Sequence, residues 1–184
     1  MSGRRVSMTA LKIVILDIET TSLAADAGIM VGAGLMPENG PGEYLAVKSS
    51  GDEKSVLSKL VSRLAGYDVI VTWNGRSFDL PFLTTRLLSH GLDPRPLLGK
   101  RHVDLSEVVK GRLRLTFNYL EHVCDFLGIE KKRGPMGMDV PHLYLKAQEG
   151  DVRALKIIRE HCLDDLEATR KVFARLKQLL EGLL

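Results

Sequence analysis

Two periods of apolar and polar residues alternate along this chain, and each change of period marks a new element. KIVILDIE, from Lys12 to Glu19, is apolar on both faces until its acids, as expected for a central strand covered on two sides. IMVGAGLM and EYLAVKS follow, separated by the turn-rich PENGPG, and read as a hairpin of the second and third strands. Between Asp52 and Ala65 the spacing becomes helical, through Val56, Leu60, Val61 and Leu64. YDVIVTW is a fourth strand, and NGRSFDLPFLTTRLLSHG is a turn leading into a helix closed by Gly91. After the short stretch HVD come a short helix from Asp104, one over 118–127, one over 141–148 and a long one over 151–180. The order βββαβαβ followed by helices predicts an α/β fold, a mixed sheet with helices on its faces. No internal repeat or low-complexity tract interrupts it, so a single domain is expected over 1–184.

Composition narrows the class without naming a function. A length of 184 residues, 45% hydrophobic and 27% charged, suits a soluble domain with a sizeable core. A net charge of +3 tolerates an anionic partner and does not demand one. Cys124 and Cys162 both lie in helical patterns among apolar neighbours. They read as packed thiols of a reducing cytoplasm rather than a disulfide or zinc framework. The start, MSGRRVSMTALKIVILDIE, is broken by Lys12 and Asp17 and has no small-residue cleavage site, so no signal peptide is read there. The longest apolar run, near IMVGAGLM, is far short of the ~20 residues a membrane span needs. Three Asn and two Gln among many charged residues match a bias reported for thermophiles.

The acids change the picture. Asp17 and Glu19 are two apart on a strand, so both side chains leave one face. In the long final helix, Ile158, Cys162, Thr169 and Leu176 share a stripe roughly 40° wide, and Asp165 falls about 20° from Ile158. Asp164 points about 120° away and is expected in solvent. A carboxylate on a buried stripe is costly unless paired, hydrogen-bonded or metal-bound, so something elsewhere must meet Asp165. Asp79, after WNGRSF, is by itself best read as a helix cap ahead of Pro81. Taken together, an acid pair ending strand one, an acid opening the helix after strand four and an acid on the last helix form a pattern that chance rarely produces.

These residues resemble the DEDD 3′→5′ exonucleases of the ribonuclease H-like fold. DIETTSL is similar to their first motif, with Ser22 in place of a glycine, and NGRSFDLPFL to their second. His161, four residues before Asp165, stands where their third motif has an aromatic or histidine. Within the superfamily the likeness is closest to YprB-type ribonuclease H-like domains and to the proofreading domain of family B DNA polymerases. It spans about residues 11–176. The resemblance implies a mixed sheet of about five strands, with strand two antiparallel, flanked by helices. It also implies a metal site of Asp17, Glu19, Asp79 and Asp165 for two divalent ions, Mg²⁺ or Mn²⁺. Asp17 would bridge both ions, Glu19 and Asp165 would complete one site, and Asp79 would hold the second through water. Hard carboxylates suit these ions, and two of them serve phosphodiester hydrolysis.

By the same resemblance Thr20, Thr21 and Leu23 line a 3′-terminal nucleotide, and Asn74 and Phe78 are expected substrate contacts. His161 lies one helical turn before Asp165, so its imidazole can lean over that site and orient or deprotonate water. Asp104 with Glu107, in DLSE, reads as a capping box. Lys131, Lys132 and Arg133, in the basic loop EKKRGPMGMD that we expect to be mobile, read as a solvated charge run rather than a phosphate track. Trp73 is expected in the core. The expected function is a metal-dependent 3′→5′ exonuclease acting on DNA or RNA. Its alternatives are a non-catalytic nucleic-acid-binding module and an endonuclease of the same fold. The expected partner is a nucleic acid with a 3′ end, with a polymerase, helicase or other repair protein as candidate protein partner. Any proofreading role is expected from a separate subunit.

Overall fold

The computed structural model describes residues 10–132, 134, 137–180 and 182. Arg133 of the basic loop and the start of the chain before Ala10 lie outside the described residues. Five strands form one sheet in the order β3-β2-β1-β4-β5. They are β1 (Ile13–Thr20), β2 (Met30–Pro37), β3 (Glu43–Ala46), β4 (Val69–Thr72) and β5 (Arg101–Asp104). β2 runs antiparallel to both β1 and β3, whereas β4 and β5 run parallel to β1. The α/β class and the antiparallel second strand are therefore as expected.

The apolar run of β1 is buried on both faces for a simple reason. Ile13 and Ile15 face α4 (Leu105–Arg112), α5 (Leu120–Leu127) and α7 (Val152–Leu176). Val14, Leu16 and Ile18 face α1 (Glu53–Leu64) and α2 (Asp79–Ser89). Because alternate residues leave opposite faces, Asp17 and Glu19 continue the row of Ile13 and Ile15 and emerge under α7. Strand one thus ends as a buried wall that becomes a pair of acids.

A short helix, α3 (Arg95–Leu98), precedes β5 and has no counterpart in the sequence pattern; four residues are too few to show a helical period. Helix α6 (Val140–Gln148) packs with α7 around Val31 and Ile158. The long helix ends at Leu176 and continues as a single tighter turn over Lys177–Leu179. On the face opposite the acids, Glu53 is wholly buried and bonds Arg86 at 2.9 and 2.5 Å, His90 at 2.8 Å and the amide of Met30 at 2.8 Å. Arg86 also donates to the carbonyl of Ala25 at 3.0 Å. This network ties the middle of the 21–29 loop and the start of β2 to α1 and α2.

Candidate active site

Three elements deliver the acids. β1 supplies Asp17 and Glu19, and Glu19 is only 4% exposed. α2 supplies Asp79, likewise 4% exposed. It is the first residue of the helix, and Phe78 occupies the cap position, so Asp79 does not cap α2. Its Oδ1 instead accepts the amide of Ile18 at 3.2 Å, between the two strand acids. The cap reading is corrected on this point: tertiary contact with β1 outweighs the local turn.

α7 supplies Asp165, and a glycine sets how closely that helix approaches. Gly34 of β2 pairs with Asp17, and a Cβ there would strike the side chain of Leu166 and meet Cys162 Sγ at 2.6 Å. Cys162 Sγ lies 3.9 Å from the Asp17 carbonyl. The side chains of Asp17, Glu19 and Cys162 bring ligating atoms within 4.8 Å of one another. His161 places Nε2 3.8 Å from Glu19 Oε1 and Nδ1 3.7 Å from Asp165 Oδ1.

The expected stripe of α7 needs a correction. Ile158, Cys162, Thr169 and Leu176 are buried as predicted, but Leu166 takes the centre of the face. Asp165 sits at its edge, with 22% of its side chain exposed. Asp164 is not solvated: its side chain is 19% exposed, and its Oδ2 is buried. The residue that covers both is Lys131. Its Nζ lies 2.7 Å from Asp165 Oδ1, 3.6 Å from Asp164 Oδ2 and 3.5 Å from Glu121 Oε1. The contact with Asp165 Oδ1 is an ion pair without the geometry of a directed hydrogen bond. Lys131 is thus not part of a solvated run; 8% of its side chain is exposed. Ile129 is buried and Glu130 and Lys132 are exposed, so chain alternation turns Lys131 inward beside Ile129. That alternation was the one available sequence signal.

The electrostatics follow from crowding. Burial, then the charges of Glu19, Asp79 and Asp165, hold the Asp17 carboxyl well above the usual carboxylate range. Burial and the charges of Asp165 and Asp79 push Glu19 up to about 8. Burial pushes Asp79 up to about 7, against the amide bonds that favour its ionised form. Asp165 is raised by burial, although His161 and Lys131 oppose the shift. Burial alone would lower the Lys131 ammonium, but Asp165, Glu121 and Asp164 hold it up. Four acids held up by burial, two of them also by the charges of the others, form a hard-oxygen donor set suited to divalent cations.

A family profile of the RNase H superfamily matches residues 14–177. This chain belongs to the RNase H superfamily. Among curated relatives of this RNase H-like chain, a DNA polymerase of Methanocaldococcus jannaschii is 29% identical over 141 residues, which cover 66% of this chain and 8% of that protein. DNA polymerase 2 of Aeropyrum pernix is 28% identical over 188 positions, which cover 88% of this chain and 22% of that protein. The chain therefore spans less than a quarter of either relative. The family B DNA polymerase of the hyperthermophilic archaeon Pyrobaculum calidifontis shares the fold. The two superpose with a TM-score of 0.80 at 21% identity, over 92% of this chain and 25% of that one. Among the described residues no helix is long and apolar enough to cross a membrane.

The RNase H-like fold places the remaining predicted residues unevenly. Thr20 Oγ1 donates to the Ser22 carbonyl at 2.8 Å, and Thr21 Oγ1 accepts the Ile29 amide at 3.0 Å, so both hydroxyls brace the turn after β1. Leu23 stands free at 86% exposure. Asn74 adopts φ of 62°, and its side-chain Oδ1 accepts a bond from Ser77 Oγ at 2.9 Å. Phe78 packs against the core beside Phe82, their ring centroids 5.7 Å apart. Trp73 packs against the core as expected. Asp104 does cap α4, accepting the Ser106 amide at 3.0 Å, but Glu107 pairs with Arg76 at 3.2 Å. Asp104 also accepts the amides of Asn74 and Arg76, both at 2.9 Å, and so holds the loop that leads to Asp79. Tyr44 is a neighbour that the sequence did not announce. Its ring lies over Gly32, which pairs with Glu19, and burial with the nearby Cys162, Glu19 and Asp17 raises its phenol.

Proposed function

We propose that this chain is a metal-dependent 3′→5′ exonuclease that hydrolyses DNA or RNA and releases 5′-mononucleotides. The observation that carries this reading is the convergence of Asp17, Glu19, Asp79 and Asp165 from three elements, with His161 within 3.8 Å of Glu19 and 3.7 Å of Asp165. The four acids would hold two divalent ions, Mg²⁺ or Mn²⁺, which when bound supply water activation and neutralise charge on the phosphodiester. Asp17, central to the set and interacting with the other three, is the acid suited to be shared. His161 orients the attacking water and takes its proton as the new P–O bond forms. The P–O3′ bond breaks, and the 3′ oxygen takes a proton from solvent. A cleft of about 820 Å³ beside His161, Asp164, Lys132 and Leu163 offers room for a nucleotide. In this reading Thr20, Thr21 and Leu23 would line the 3′-terminal nucleotide, and Asn74 and Phe78 would be further substrate contacts. The polymerase relatives support a nucleic acid as substrate, and a polymerase, helicase or other repair protein is the protein partner this reading proposes.

One observation favours the non-catalytic binding module: Lys131 already pairs with Asp165. The ammonium of Lys131 reaches Asp165 and leaves Asp17, Glu19 and Asp79 held above the usual carboxylate range, as expected of acids that lack the cation favouring their ionised forms, so the metal reading is stronger. The deciding experiment incubates labelled DNA and RNA oligonucleotides, linear and circular, with Mg²⁺, Mn²⁺ or EDTA. Mononucleotide release from linear strands, abolished by EDTA, supports the proposal. Cleavage of the circle makes it an endonuclease, and cleavage of nothing makes it a binding module.

A further inference from the structure

The chain has five phenylalanines, four tyrosines and one tryptophan, and most of them are buried or partly so. Among the described residues the exposed aromatics are Phe117, Tyr119 and Phe126, at 52%, 52% and 60%. All three fall in one ten-residue stretch. The Phe117 ring lies 5.6 Å from Tyr119 and meets His122 edge-on at 5.4 Å, while Tyr119 lies 5.7 Å from His122. Exposed rings gathered into one patch mark a binding surface more often than scattered ones do.

The chain leading to the patch explains its exposure and its charge. Leu113 and Leu115 turn into the core, so Arg112, Arg114 and Thr116 turn outward, and Phe117 follows them. Among the described residues neither arginine is in an ion pair, nor is the exposed Lys110. Helix α5 carries both His122 of the patch and a link to the acids: Glu121, next in sequence to His122, reaches within 3.5 Å of Lys131 Nζ, itself 2.7 Å from Asp165. Flat rings offer a stacking surface to any nucleobase, and unpaired guanidinium groups suit phosphates.

We propose that Phe117, Tyr119 and His122, flanked by Arg112 and Arg114, form a platform on which unpaired nucleobases of a single strand stack. The proposal rests on the nuclease reading, because the strand on the platform is the one whose end enters the acid site. A duplex hides the faces of its bases, so the platform selects single-stranded substrate.

The test is fluorescence anisotropy of the full chain in Ca²⁺ with a labelled oligothymidylate of about 15 nucleotides, and with a blunt duplex of equal length. Phe117→Ala/Tyr119→Ala should weaken single-strand binding about tenfold or more, whereas Phe117→Trp should bind close to wild type. Arg112→Ser/Arg114→Ser should weaken binding and flatten its salt dependence by roughly one to two in slope. Leu88→Ala, an exposed apolar change on α2, is the control and should bind as wild type. If the aromatic double variant keeps its circular dichroism and binds oligothymidylate like wild type, the platform is overturned and the patch serves a protein partner. Absence of binding by wild type overturns it as well. If wild type hydrolyses nothing in Mn²⁺ while the aromatic variant still loses affinity, the nuclease reading falls and the platform stands.

Discussion

Asp79 Oδ1 accepts the backbone amide of Ile18 at 3.2 Å, joining positions 61 residues apart. Ile18 is the residue between Asp17 and Glu19, so this one bond fixes the start of α2 against the end of β1. It costs α2 a side-chain cap and places a third carboxylate beside the strand pair.

The burial of those acids sets the pH dependence. Glu19, ordinarily near 4.5, titrates at about 8 in the fold, and Asp79, ordinarily near 3.8, at about 7. Over that window the folded protein binds more protons than the unfolded chain, so stability falls as pH rises. In EDTA the melting temperature should therefore drop between about pH 5 and pH 8. Mn²⁺ must displace the same protons, so its apparent affinity should climb over the same range. Calorimetry in two buffers of different ionisation enthalpy reads the proton release. A flat melting profile together with metal binding that frees no protons would contradict this account.

Asp165 and Asp164 are both held by Lys131, yet only Asp165 also meets His161. Asp165→Asn should abolish hydrolysis, and Asp164→Asn should leave most of it. Single-turnover assays at saturating Mn²⁺ compare the two directly. The reverse order would mean that the α7 register has been assigned the wrong acid.

His161→Ala should lower kcat by roughly 10²–10⁴-fold, the usual worth of a general base. Metal affinity should be largely kept, because the acids are untouched. His161→Tyr should retain more activity than the alanine variant. A wild-type rate in His161→Ala would make the histidine a bystander.

Gly34 has no room for a side chain, since a Cβ would press on Leu166 and Cys162. Gly34→Ala should cost about 1–3 kcal/mol by pushing α7 off the sheet, and hydrolysis should fall with it. At Gly111, in α4, a Cβ would meet nothing within 4 Å, and Gly111→Ala should instead stabilise by about 0.5–1 kcal/mol. Urea titration of both variants gives the two signs; a stabilised Gly34→Ala protein would refute the packing argument.

Glu53 is buried with Arg86 against it, and removing the carboxylate strands that guanidinium and the Met30 amide. Glu53→Ala should cost about 3–5 kcal/mol. Glu43→Ala breaks the exposed pair with Arg63 and should change stability by less than about 1 kcal/mol. Equal losses in chemical denaturation would show that burial does not separate the two pairs.

Period alone determined much of this protein. The apolar run of β1, the hairpin of β2 and β3 and the helical spacing of α1 and α7 fell within a few residues of their predicted bounds. The pairing of Asp17 with Glu19 on one face is a property of any strand, and His161 and Asp165 share a helix face for the same local reason. What lies across from each acid could not be read that way. Taken alone, Asp79 read as a cap and only its place in the acid set gave it a site role; Asp164 was assigned to solvent, Asp165 to the centre of a buried stripe and Lys131 to a solvated loop. Each was decided by a partner distant in the chain: Ile18 for Asp79, Lys131 for both aspartates, Gly34 for the depth at which α7 sits. Periodicity specifies which way a side chain points from its own backbone. The cost of burying its charge depends on the groups that the fold brings to meet it, and those are set only when the elements pack.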